Sequence, residues 1–324
     1  MEEKNQKTIP SGTNAAAAKT TASGNATGKT TAKKPNKAEL RKKRIRNRNL
    51  TRNLIQLFFF LAMPSAFVAG FTGIKNIFLW IGSGSPLQMN SFVKSLIALA
   101  IFTILFGRYF CGYVCSFGTL GDLINYLSGL FQKKILKKKK QYQLPPKAVQ
   151  VLQKLKYLNL LAIAVLCALG IYSKMSGTSC WDVFSRLTAL KAVPSGYMIG
   201  ILCFVLVLVG MAVQERFFCQ FLCPMGAFFA LLPVLPFSSL HREEANCIKG
   251  CNACANQCPV SLKLQANGDR GGECIACEKC VPTCPKGNIT HPLSERLHQE
   301  FAVLIAKAAL FFAMGCFMGW CRFF

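Results

Sequence analysis

Four apolar runs, residues 54–72, 92–110, 157–175 and 197–215, dominate the chain. Each is about 19 residues long, close to the ~20 that a helix needs to cross a hydrocarbon core of about 30 Å. In such a core the backbone must satisfy its own polar groups, so the runs predict helical spans. Charge agrees with this reading. The 324 residues hold 39 Lys+Arg against 13 Asp+Glu, a formal net charge of +26, which in a soluble protein would point to nucleic acid. Here 52% of residues are hydrophobic and the mean hydropathy is +0.33. Residues 1–52 carry nine Lys and five Arg against three Glu, and residues 131–156 carry nine Lys and no acid. Aromatic side chains do not interleave with these cations, so no nucleic-acid partner is expected. Both segments abut apolar runs and read as cytoplasmic anchors in contact with membrane lipid. The N-terminus is then inside, and everything after Glu215 begins inside again.

The fold class expected is an α-helical integral membrane protein with a small cytoplasmic cysteine-rich module. Residues 1–52 read as a disordered basic tail, in which Gly24-Asn-Ala-Thr-Gly28-Lys29-Thr30 is one residue too short for a phosphate loop. Residues 53–130 form a first two-helix unit, 131–156 a basic loop, 157–240 a second two-helix unit, and 241–292 the module. A fifth apolar run at about 302–320 reads as a fifth span within 300–324, with Lys307 snorkelling at its cytoplasmic end. A helix lying in the interface is the alternative.

The 17 cysteines divide into sets. One run reads Cys247-x3-Cys251-x2-Cys254-x3-Cys258-Pro259, and a second Cys274-x2-Cys277-x2-Cys280-x3-Cys284-Pro285. The second matches the bacterial ferredoxin pattern, in which three close thiolates wrap one cluster and the fourth reaches its neighbour. Two [4Fe–4S] clusters follow, one on Cys247, Cys251, Cys254 and Cys284, the other on Cys274, Cys277, Cys280 and Cys258. Gly250 suits the tight wrap of the first run. Structural zinc is the competing reading of Cys-x2-Cys pairs, but two near-copies with Cys-Pro endings are more specific. Disulfides conflict with a cytoplasmic placement.

A further pattern recurs at an offset of 108 residues. Arg108-Tyr-Phe-Cys111-Gly-Tyr-Val-Cys115-Ser-Phe-Gly118 returns as Arg216-Phe-Phe-Cys219-Gln-Phe-Leu-Cys223-Pro-Met-Gly226. Each copy closes an even-numbered span. The i, i+4 spacing predicts that each cysteine pair shares a helical face. Cys111, Cys115, Cys219 and Cys223 are candidates for an additional cluster, a dithiol site or simple packing. Arg108 and Arg216 could pair with a carboxylate, a phosphate or a negative cluster, and their simplest role is anchoring at lipid headgroups.

Together these motifs resemble the membrane-bound polyferredoxins of the NapH type, related to the membrane portions of NosR-like and CcoG-like proteins. The resemblance covers about residues 50–290, with Ser116 where the family pattern has proline. It implies electron transfer in a bacterial cytoplasmic membrane, between the quinone pool or a soluble donor such as ferredoxin or flavodoxin and a redox partner, in some members a flavoprotein. Quinone is a candidate cofactor. His241, His291 and His298 all lie outside the first four spans, which excludes a bis-histidine haem relay. No Gly-x-Gly-x-x-Gly element or flavin motif is present, so the chain reads as an electron-carrying subunit. The alternative is an assembly or metal-reduction factor for another metalloenzyme; an iron–sulfur sensor is a third reading. Cys167, Cys203 and Cys316 read as packing residues. Cys180 and Cys321 fall near the outer face, and a bond between them is left open.

Overall fold

A computed structural model describes residues 37–86, 88–136, 146–175, 177–236, 239–243, 245–262, 272–290 and 300–322. Helix α1 (Lys37–Ala62) stops at Pro64, whose ring removes a backbone donor, and the chain resumes as α2 (Ala66–Ser83). The run expected to span at 54–72 is therefore split, and the helix of bilayer length begins at Ala66. Asn90 caps α3 (Ser91–Phe106) by accepting the Val93 N–H at 3.0 Å. Gly73 lies against Phe92 and Leu96, and Gly70 against Leu99, so α2 and α3 run antiparallel.

Then come α4 (Ser116–Leu136), α5 (Pro146–Ala168), α6 (Cys180–Thr188) and α7 (Met198–Val213). Two short helices follow, α8 (Phe217–Phe221) and α9 (Pro224–Leu231). Ala66–Ser83, Ala148–Ala168 and Ser195–Val213 are long and apolar enough to cross a membrane, while Ser91–Phe106 and Phe301–Phe317 are shorter apolar helices. Leu158, Leu161, Leu202 and Leu206 on α5 and α7 are each 61% exposed, an outward apolar face suited to lipid. Inside, Phe117 meets Phe218 at 4.2 Å and Phe184 at 4.5 Å between ring centroids, joining the two halves in one core.

The basic segments are more structured than their composition suggests. Residues 37–52, expected in a disordered tail, form the first half of α1, with Arg48 and Arg52 buried. Ion pairs with Glu278 and Asp122 hold them there. Lys156, expected in a solvated loop, is buried on α5. Residues 1–36, including the Gly24–Thr30 segment, and 137–145 lie outside the described residues.

The module contains a short helix α10 (Ala253–Asn256). His241–Arg242 pairs antiparallel with Ile289–Thr290 and closes the two ends of the module against each other. Helix α11 (Glu300–Phe317) then runs back along α3. The Tyr109 hydroxyl meets the Leu304 carbonyl, Phe311 packs on Phe102 at 4.9 Å, and the Trp320 indole donates to Ser95 Oγ at 3.0 Å. Lys307 does not snorkel: it is buried beside the Phe106 ring, 5.9 Å from its centroid. Past α11 the chain turns at left-handed Gly319, and Cys316 bonds to Cys321. Cys316 is thus no isolated packing residue. Cys180 keeps a free, buried thiol, so no Cys180–Cys321 bond forms.

Candidate metal centres

Both copies of the cysteine repeat build the same local structure. After α3 the chain turns at Gly107 (φ 70) into one π-helical turn, Phe110–Val114, which carries Cys111. After α7 it turns at left-handed Arg216 (φ 59) into α8, which carries Cys219. In each copy the second cysteine then caps the following helix. Cys115 (φ −56, ψ 113) precedes α4, and Cys223 (φ −72, ψ 110) precedes α9. The Gly226 N–H donates to Cys223 Sγ at 3.2 Å, and the Gly118 N–H serves Cys115 in the same way. A helix N-terminus favours a thiolate through these donors and its dipole.

The pairs therefore straddle a helix break and do not share one helical face. Pro224, at the first position of α9, enforces the break in the second copy. In the first copy Ser116 occupies that place, and its hydroxyl donates to the Pro64 carbonyl at 3.1 Å. The departure from proline ties the first repeat to the kink between α1 and α2.

All four thiols are buried and close enough to perturb one another electrostatically. Burial, then Cys219 and Cys111, pushes the Cys115 thiol up. Burial, then Cys219, Cys115 and Cys111, does the same for Cys223. Four thiolates can coexist here only around a positive centre. Among the described residues no three His, Cys, Asp or Glu side chains converge tightly enough for a single ion, which would hold its sulfurs within about 2.3 Å of the metal.

Each arginine completes the other copy's loop. A Cβ at Gly118 would stand 2.1 Å from Arg216 Nη1, and one at Gly226 would stand 3.1 Å from Arg108 Nη2. Arg216 Nη1 donates to the Cys111 carbonyl at 2.7 Å, while its Nε and Nη2 grip Asp122 at 2.8 and 2.7 Å. Burial alone would lift the Asp122 carboxyl, but Arg216, and after it Arg52, hold it below the usual carboxylate range. Arg108 donates to the Gly272 carbonyl at 3.1 Å, lies 3.7 Å from Glu273, and stands 4.0 Å from Cys111 Sγ. Its Nε is buried without a hydrogen-bond partner, an orphan donor beside the cysteines. With exposures of 2% and 1%, Arg108 and Arg216 are core residues and not headgroup anchors.

In the module, Cys247, Cys251, Cys254 and Cys284 line one small cavity that opens partly to solvent. Arg242 donates to Cys247 Sγ at 3.0 Å, and the Asn288 N–H to Cys284 Sγ at 3.3 Å. Gly250 is left-handed (φ 75), as a tight wrap requires. In the second run Ala276 (φ 50) and Glu278 (φ 53) are left-handed although neither is glycine. Such alternation can turn successive N–H groups into an anion-binding concavity. Cys258 lies beside Cys277 and Cys274, and Cys280 is buried with Leu240 and Ile289. These features fit two clusters shared crosswise between the runs. His241 is exposed, while His291 and His298 lie outside the described residues.

The module rests on the repeats through equivalent positions. Gly112 is so close to the second run that a Cβ there would stand 2.4 Å from the Ile275 carbonyl. Gln220, its counterpart, donates to the Pro259 carbonyl, next to Cys258. The Tyr113 hydroxyl donates to the Cys277 carbonyl at 3.3 Å. Sequence reasoning missed Arg52, Asp122, Lys156 and Glu273. The available signal was scarcity: Asp122 is one of three acidic residues between 91 and 215.

A family model described as a 4Fe-4S binding domain matches residues 92–139 and 198–236, the stretches that hold Cys111, Cys115, Cys219 and Cys223. An uncharacterized protein of Methanocaldococcus jannaschii is 28% identical over 239 residues, 73% of this chain and 92% of that protein. Ferredoxin-type protein NapH of Escherichia coli is 24% identical over 213 residues, 60% of this chain and 67% of NapH. Regulatory protein NosR of Stutzerimonas stutzeri is 28% identical over 193 residues, 59% of this chain but only 25% of NosR. No solved structure matches the chain.

Proposed function

We propose, for a chain that is NapH-type and NosR-like in its motifs and its relatives, a membrane-bound iron–sulfur electron-transfer protein with three [4Fe–4S] sites. One is held by Cys247, Cys251, Cys254 and Cys284, the second by Cys258, Cys274, Cys277 and Cys280, and the third by Cys111, Cys115, Cys219 and Cys223. Bound there, the clusters supply uptake and release of single electrons. The chain's own residues do the rest. Helix caps and left-handed turns aim N–H groups at the sulfurs, Arg242 and Asn288 donate to two of them, and Arg108 and Arg216 bring positive charge to the buried set.

The contact of Gly112 and Gln220 with the module carries this reading. Each residue lies between the two cysteines of its repeat, and each touches backbone beside ligands of the second set. The buried set and the second set thus face each other, while the half-exposed first set lies open to an outside partner. The two basic segments support a cytoplasmic module, reached by a soluble donor such as ferredoxin or flavodoxin. Quinone or a membrane-associated redox partner would exchange electrons at the buried end.

Iron and sulfide analysis of the purified full chain tests the number of sites. About twelve iron atoms are expected, and about eight would limit the metal to the module. Cys111→Ala or Cys219→Ala should remove about four iron atoms and abolish electron transfer in native membranes while the module signals persist. Transfer left unaltered in these variants would return the repeat to packing. If neither added quinol nor reduced ferredoxin or flavodoxin changes any cluster signal, the electron-transfer reading fails.

A further inference from the structure

Two carboxylates, each gripped by two cations, flank the four repeat cysteines. Asp122 accepts from Arg216 at 2.7 Å, from Arg52 at 2.6 Å and from the Gln56 amide at 2.9 Å. Glu273 pairs with Lys156, lies 3.7 Å from Arg108 and accepts the Tyr157 hydroxyl. Each group sums to one positive charge. The neighbouring pairs Arg48–Glu278 and Lys279–Glu215 are one-to-one and cancel.

The four cations of the two groups are between 1% and 3% exposed, so solvent screens them little. Burying two surplus positive charges is costly unless negative charge lies beside them. Four thiolates on an oxidised cubane leave two negative charges, the amount required.

The repeat does not itself supply both carboxylates. The position equivalent to Asp122 is Ala230, and Arg108 finds its carboxylate on the module instead, at Glu273 beside Cys274. Docking of the module therefore completes the electrostatics of the buried site as well as its contacts.

The geometry points to Asp122 and Glu273 as positioning residues that set the charge, and so the reduction potential, of the site formed by Cys111, Cys115, Cys219 and Cys223. The assignment rests on reading those cysteines as cluster ligands. Reduction adds one electron to the site, so extra positive charge favours it and lost positive charge opposes it.

Redox titration of the full chain in native membranes, followed by electron paramagnetic resonance, reads this directly. Asp122→Asn should shift the third midpoint upward, Arg52→Gln downward, and the double variant back toward the parent. Asp122→Glu should leave it in place. A merely structural role would not give opposite signs that cancel. If Asp122→Asn does not yield folded protein, Arg52→Gln against Arg52→Lys gives the same test of sign, with only the glutamine expected to move the potential. Three signals with an unmoved potential, or shifts of the same sign from Asp122→Asn and Arg52→Gln, overturn the charge assignment alone. A parent chain with only the two module signals overturns this assignment together with the third site.

Discussion

At the scale of single residues, a close approach constrains Gly118, where the guanidinium of Arg216 occupies the space of a side chain. Arg216 cannot retreat, because Asp122 and the Cys111 carbonyl hold it. Gly118→Ala is expected to cost about 1–3 kcal/mol through overpacking, read by thermal denaturation, and to lower the iron content of the purified chain. Gly226→Ala should be milder, since Arg108 stands 3.1 Å from the added methyl and needs to give only slightly. Asp122 also predicts a pH dependence. Its carboxyl is held below its unfolded value, so the stability it contributes is present above about pH 4 and is lost as pH falls toward the native value. Denaturation midpoints of the parent should therefore decline below about pH 4 more steeply than those of Asp122→Asn. The arginines were legible in the sequence because they recur; Asp122 was not, because Ala230 stands at its repeat position. A single carboxylate in one copy leaves no pattern.

Among the elements, the informative discrepancy is the kink at Pro64. A hydropathy window sums side chains and ignores a missing N–H, so it reads residues 54–72 as one span where the backbone requires two helices. The same blindness hid the helix breaks within the cysteine repeat, although Pro224 marked one of them. Ser116 replaces proline in the other copy because its hydroxyl is needed at the Pro64 carbonyl. Ser116→Ala should destabilise the chain by about 1 kcal/mol, measured by thermal denaturation, since it leaves that carbonyl without its partner. The basic tail was misread for a related reason. Composition reports charge, but only the partners, Glu278 for Arg48 and Asp122 for Arg52, show that half of α1 is packed.

For the whole molecule, spacing in the sequence exposed a ferredoxin-like module and a repeated cysteine pair as separate features. Nothing in either spacing says that they touch. Their junction is built from groups with no signature of their own: a missing side chain at Gly112, the Gln220 amide and the Tyr113 hydroxyl. Gly112→Ala should push the Ile275 carbonyl away and slow electron exchange between the buried site and the module, while the iron bound by the module is retained. Stopped-flow reduction of the two sets of signals would show it, and unchanged rates would mean that the contact is dispensable.

The crossing arginines also govern how such a protein can be made. The first pair of thiols emerges with Arg108, but the arginine that closes its loop arrives 108 residues later. The carboxylate for Arg108 comes later still, with Glu273. Neither half holds a finished nest for metal while the other is still on the ribosome. On the proposed reading, iron loading of the buried site belongs to the last stage of biogenesis, after both halves and the module have met. Two halves expressed as separate polypeptides should acquire that iron only in each other's company.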